Sequence, residues 1–317
     1  MISFVRLIGR QYRFQIVAVL IASLGVAGAA TWLAVQLDTL AVVPGCLEGT
    51  ATGAEETCEN VARFRELGGF NVVKMMGWIG FLPFVVGVVL GAPLVAREIE
   101  HGSAVLAWSL GRDRRRWLLE RVILLGAVVL VVLAAPMVAA SLLGGADQPG
   151  IDPRASFEYY GMHGPLLLLR GLATFSIGTL LGAVLGRTLP ALIAAAAASV
   201  LIFFGLGVLE EHWVAGTLSP AGAVRTVDSD TSFYIETLYR DASGALLTRD
   251  EVENLAPMEP LSLEYGNWLQ ATFEPLSLTI PGSRFPDVEV RESVALAGMS
   301  VVAIGVAGAV VQRRRPT

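Results

Sequence analysis

The chain is poor in charge. Asp, Glu, Lys and Arg make up 16% of its 317 residues, against about a quarter in soluble domains. A single lysine, Lys74, leaves no room for a Gly-x-x-x-x-Gly-Lys-Ser/Thr phosphate cradle, so nucleotide binding by that route is excluded. The three histidines, His101, His163 and His212, stand apart, and neither His-x-x-x-His nor Cys-x-x-Cys spacing occurs; no zinc site built from this chain alone is expected. There is no Gly-x-Ser-x-Gly elbow and no pair of acids inside a long apolar run, where a proton-coupled pump or an intramembrane protease would carry them. The chain is not expected to be an enzyme, to hold a metal or cofactor of its own, or to bind nucleic acid.

Apolar residues are what it has, at 54% of the chain with a mean hydropathy of +0.62. They fall into six blocks: Ile16–Leu37, Val72–Val95, Leu118–Leu143, Pro165–Leu185, Leu189–Leu209 and Val294–Val311. A helix needs about 20 such residues to cross roughly 30 Å of hydrocarbon, and each block reaches or approaches that length. One block alone fits a buried core helix, but six would leave a soluble protein almost no surface. The expectation is an all-α polytopic membrane protein with six transmembrane helices. The first apolar run continues through Trp32 to Leu37, beyond the roughly 7–15 residues of a signal-peptide core, so the first helix reads as retained rather than cleaved.

Charge sets the orientation. With the N-terminus inside, segments 1–15, 96–117, 186–188 and 312–317, with Glu120 and Arg121 just beyond, hold 13 of the 23 basic residues and only four of the 28 acids. Short basic loops stay on the cytoplasmic side. The reading is a multi-pass plasma-membrane protein with both termini cytoplasmic.

Residues 1–15 read as an amphipathic interfacial helix, with Phe4, Leu7, Ile8 and Tyr12 recurring at helical spacing between Arg6, Arg10 and Arg13. Residues 16–209 hold the first five spans. Within them, the outer loop 38–70 contains both cysteines, Cys46 and Cys58, and on an oxidising face these point to one disulfide; two free thiols or a metal pair are the alternatives. Residues 210–292, with 15 acids and five arginines, read as a small α+β extracellular cap with strands near Phe233–Tyr239 and Thr272–Ile280. Residues 293–317 supply the sixth helix and a basic tail. Small residues at Gly87 and Gly91, and at Gly178, Gly182 and Gly186, have the four-residue spacing that lets membrane helices approach closely, or they are glycines a membrane helix merely tolerates. Arg170 is the one charge that looks buried; snorkelling to the nearby interface is favoured over lining a pathway or anchoring the outer loops.

The longest inner segment, 96–117, leaves the membrane with Arg97, Glu98 and Glu100, turns at Gly102, and continues through Ser103 and an apolar stretch containing Leu106 and Trp108. It re-enters through Arg112-Asp113-Arg114-Arg115-Arg116. A positive-inside loop accounts for the arginines but not for apolar residues held outside the bilayer. Ala96-x-Glu98-x-x-x-Gly102-Ser103 resembles the Ala-x-Glu-x-x-x-Gly-Thr pattern of permease subunits of type-2 ABC transporters, with Ser for Thr. Gly186-Arg187-Thr188-Leu189-Pro190-Ala191, and Pro281-Gly282-Ser283-Arg284-Phe285-Pro286 with Glu292, are similar to an actinobacterial branch of that family. The resemblance covers nearly the whole chain.

It implies an exporter subunit in which 96–117 docks on a cytoplasmic ATPase, with Arg97, Glu98, Gly102, Ser103, Leu106 and Trp108 coupling the two. Two ATPase subunits would bind ATP and Mg, and a second permease copy or a paralogue would complete the path. The alternative is a mechanotransmitting or sensory protein that moves no solute.

Overall fold

The computed structural model describes residues 11–47, 58–104, 113–152, 156–215, 233–257, 263–280 and 282–314. The amphipathic segment 1–15 therefore lies outside the described residues up to position 10, as do Leu106 and Trp108 of segment 96–117. The chain divides into two compact units.

The larger unit is a helix bundle. Its helices are α1 (Arg13–Asp38), α2 (Val61–Glu100), α3 (Arg114–Asp147), α4 (Gly164–Leu185), α5 (Thr188–Ala215) and α8 (Phe285–Arg313), the last two running on into the smaller unit. All six are long and apolar enough to cross a membrane. Every apolar block lies within one of them, and most helices extend past their block because charged ends can stand in headgroups and water. At 1.5 Å per residue, the part of α2 that follows Gly69 spans about 46 Å, more than the roughly 30 Å hydrocarbon thickness, so α2 projects beyond it. Its first turns, Val61–Gly68, take up the end of the expected loop 38–70, and the helix bends at Gly69. What remains of that loop is closed by the Cys46–Cys58 disulfide.

Burial ranks the helices. The apolar window of α2 is 83% buried and that of α5 is 17%. Helix α2 is thus the centre: it packs along α4, while α1 packs along α3. The α2–α4 contact is backbone against backbone. A Cβ at Gly87 would lie 2.7 Å from Phe175 N, one at Gly178 would lie 2.9 Å from Ala92 N, and Gly91 and Gly182 face the carbonyl oxygens of Phe175 and Ala92. Gly171 in turn leaves room for Leu133 of α3. In lipid, where apolar side chains gain nothing by leaving their solvent, such close approach supplies the dispersion contacts that hold helices together. Hydroxyls add to it: Ser23 donates to the Val132 carbonyl at 2.7 Å, joining α1 to α3.

Gly186 is an exception to the expected packing role. It ends α4 as a left-handed cap (φ 66°), and the Arg314 guanidinium occupies the space where a side chain would sit. Arg314 Nη2 donates to the Val184 carbonyl at 2.7 Å, satisfying one of the acceptors that a helix C-terminus leaves open.

The smaller unit contains a three-stranded antiparallel sheet in the order β2-β1-β3, formed by β1 (Phe233–Arg240), β2 (Leu246–Leu247) and β3 (Glu274–Ile280). Register pairs Tyr239 with Leu247 on one side and Arg240 with Glu274 on the other. Asp241 Oδ1 accepts from the Ser243 and Ala245 amides and closes the β1–β2 turn. Helices α6 (Arg249–Leu255) and α7 (Leu263–Thr272) follow, the first opened by a Thr248–Glu251 capping box. Tyr239, Trp268 and Phe273 stack edge to face, and Val252 and Leu276 are buried. Alternating strands between turn signals and an α+β content are what the sequence predicts here.

Candidate functional site

At the arginine-rich end of the bundle, the end of α2 and the turn at Gly102–Ser103 are braced from inside. Leu90, Leu94 and Glu98 recur every fourth residue on the buried stripe of α2, and Trp117, Arg121 and Leu125 do the same on α3. This phasing carries a carboxylate and a guanidinium inward, where Glu98 is 3% exposed and Arg121 6%. Arg121 Nη1 donates to Glu98 Oε1 at 3.2 Å. Gln11 Nε2 donates to the same oxygen, and Ser103 Oγ donates to Oε2 at 2.6 Å. One carboxylate therefore joins the N-terminal segment, the end of α2, the turn after it and α3.

Neighbouring groups complete the arrangement. The Arg121 guanidinium lies 4.6 Å from the centroid of the Trp117 ring. Arg97 Nη1 donates to the Gln11 carbonyl at 3.3 Å, and the Tyr12 hydroxyl donates to the Leu94 carbonyl at 3.2 Å. Burial pushes the Tyr12 pKa up to about 12, Glu98 acting in the same direction against Arg121 and Arg97, so the group is a neutral donor at any physiological pH. Helix α2 ends in a reversal at Gly102 (φ 71°), a left-handed conformation cheap only for glycine, and helix resumes at Ser103. The Ser103 hydroxyl also lies 3.2 Å from the Glu98 carbonyl oxygen, so the residue after the turn is tied to the residue before it. Threonine would supply the same hydroxyl.

Arg170 does not reach for the interface. It is 8% exposed, and its Nε and Nη2 each lie 2.8 Å from Glu292 Oε1 on α8. The Tyr160 hydroxyl donates to Glu292 Oε2 at 2.8 Å. Gly161 (φ 71°) makes room for the guanidinium, which a Cβ there would overlap. Snorkelling is thus replaced by a buried ion pair between α4 and α8, because a carboxylate stands within reach at the same depth. Nor is Arg170 the one buried charge: Glu98, Arg121 and Glu292 are buried with it. Removing one member of such a pair strands the other, at a cost of about 3–5 kcal/mol. Arg170→Met alone is expected to lower the melting temperature of the detergent-solubilised chain sharply, and Arg170→Met with Glu292→Leu to recover most of the loss. Equal destabilisation by the single and double variants, measured by thermal unfolding, would remove the pair from the account.

Sequence reasoning placed Arg97, Glu98, Gly102 and Ser103 in one segment, and the structure brings them into one cluster. It missed Gln11, Tyr12, Trp117 and Arg121 as their partners. An available signal was Arg121 itself, an ionisable residue inside an apolar helix, which needs a partner. Within a single chain, Gly178 meets Gly91, Gly87 and Gly91 face the backbone of Phe175, and Gly182 faces that of Ala92.

Fold and cluster together define a multi-pass membrane protein in which one carboxylate ties the end of α2 and the turn after it to α3 and the N-terminal segment. Residues 14–210 match the model of the family described as ABC-2 membrane transporter related, and the chain belongs to that family. Membership makes it a membrane subunit of the ABC transporter class, which associates with ABC ATPase partners. No curated protein and no solved structure matches it.

Proposed function

We propose that the chain is the permease subunit of an ATP-driven exporter in the plasma membrane. A separate cytoplasmic ATPase pair binds ATP and Mg and acts on segment 96–117, and a second copy of the chain or a related one completes the translocation path. Both termini lie on the cytoplasmic side, in keeping with the arginines at 97, 114–116, 187 and 313–314 that gather at one end of the bundle.

The observation that carries this reading is the Glu98 cluster. A push on the turn at Gly102–Ser103 is transmitted without slack to α2, to α3 through Arg121, and to the N-terminal segment through Gln11. Helix α2, the most buried of the bundle, then moves α4 along the close-packed glycine faces. Such a device suits a subunit that receives mechanical work from elsewhere, because packed interfaces switch between discrete arrangements rather than deform continuously.

Co-purification from native membranes is the test. The chain is expected to bring down an ATP-binding subunit in stoichiometric amount, and Trp108→Ala, in the stretch assigned to docking, to weaken that association or abolish transport-coupled ATPase activity. A chain that purifies alone with no ATPase would overturn the proposal. ATPase activity that moves the external domain with no measurable solute flux would favour a mechanotransmitter instead.

A further inference from the structure

Helices α3 and α8 do not close against each other along their whole length. Arg115, Leu118 and Leu119 of α3 and Ile304, Gly305 and Gly308 of α8 line a groove of about 340 Å³ between them. Two missing side chains keep it open. A Cβ at Gly305 would find no atom within 4 Å, and one at Gly308 would lie 3.9 Å from Leu118 Cδ2. The remaining walls are aliphatic and belong to two helices of membrane length, so acyl chains are the medium around the groove.

Only one end of the groove is charged, and the three consecutive arginines there are not equivalent. Arg114 is engaged with the carbonyl oxygens that end α8, Gln312 at 3.2 Å and Val311 at 3.5 Å. Arg116 pairs with Glu120 at 3.1 Å. Arg115 alone lines the groove; its Nη2 donates to Gln312 Oε1 at 3.0 Å, its backbone amide donates to Asp113 Oδ1 at 3.2 Å, and its guanidinium has no ion pair among the described residues.

We infer that this groove is a binding site for an anionic phospholipid, with one acyl chain lying over Gly305 and Gly308 and the phosphate paired to Arg115. The apolar slot selects a chain, and a single cation at its end, where the helix leaves the hydrocarbon, selects a negative headgroup over a zwitterionic one. A bound lipid would act as a wedge between α3, which carries Arg121, and α8, which carries Glu292. The inference needs only that these helices cross a bilayer, and stands apart from ATP coupling.

Native mass spectrometry of the full chain, released from micelles containing phosphatidylglycerol or phosphatidylcholine, tests it. The wild-type chain is expected to retain phosphatidylglycerol preferentially. Arg115→Gln should cut that retention about fivefold, the factor equivalent to about 1 kcal/mol for one basic residue at an anionic surface, and lower phosphatidylcholine retention less, because the choline cation already offsets its phosphate. Gly305→Leu places a side chain in the slot from a position where a Cβ meets no neighbour, and should cut retention of both lipids. Equal retention of the two lipids by the wild-type chain, or wild-type retention by both variants, overturns the assignment. So does a Gly305→Leu chain that keeps its lipid but loses a dimer, an outcome that gives the groove to a second copy.

Discussion

Replacing Glu98 by alanine is expected to destabilise the chain by about 3–5 kcal/mol and, on the function proposed above, to uncouple it from an ATPase partner, and the two losses can be separated. Alanine removes the acceptor shared by Gln11, Ser103 and Arg121. The stability cost comes mostly from Arg121, which stays 6% exposed with its charge and without its carboxylate. The paired change Glu98→Leu with Arg121→Met takes out both charges and replaces them with apolar groups of similar size. Buried ion pairs contribute little net stability over such replacements, so this double variant should melt close to the wild-type temperature. It should still fail to couple, because the side chain on which Ser103, Gln11 and Arg121 converge is then gone and no polar side-chain link joins the turn to α3. Thermal unfolding in detergent reads the first effect, and ATPase stimulation in the reconstituted complex reads the second. A stable double variant with wild-type coupling would show that the cluster only holds the fold.

The second large effect is expected at the α2–α4 contact. Gly91→Leu directs a side chain into the backbone carbonyl of Phe175, and Gly178→Leu directs one at the Ala92 amide, where even a Cβ would lie 2.9 Å away. Overpacking a core by a few methylenes costs about 1–3 kcal/mol when side chains can shift. Here the obstacle is main chain within a helix, which has no rotamer to change, so the two most intimately packed helices must separate along their length. Loss of the monodisperse peak after detergent extraction is the expected result. Gly25 and Gly77 have no atom within 4 Å of a would-be Cβ, so the same substitution there should leave the protein monodisperse. A folded Gly178→Leu chain with an altered oligomeric state would instead place these glycines between copies.

Much was legible in one dimension. Long apolar runs report a bilayer-spanning helix because the backbone must satisfy its hydrogen bonds internally, and the six blocks correspond to α1–α5 and α8. Gly102 marks a reversal because a left-handed turn excludes most other residues. Cys46 and Cys58 are close enough in sequence for loop closure to be cheap, and they are bonded. The strands near 233–239 and 272–280 announced themselves by alternation between turns.

What the tertiary structure alone decided is which charges meet. Glu98 and Arg121 are 23 residues apart, and Arg170 and Glu292 are 122 apart; nothing in local periodicity names either partner. The same holds for the glycines, whose spacing foretells a close neighbour but not whether that neighbour is α4 of the same chain or a second copy. Both questions depend on the rotation and depth at which each helix settles against the others. Those are set by the sum of many dispersion contacts across the bundle, and no single residue records them.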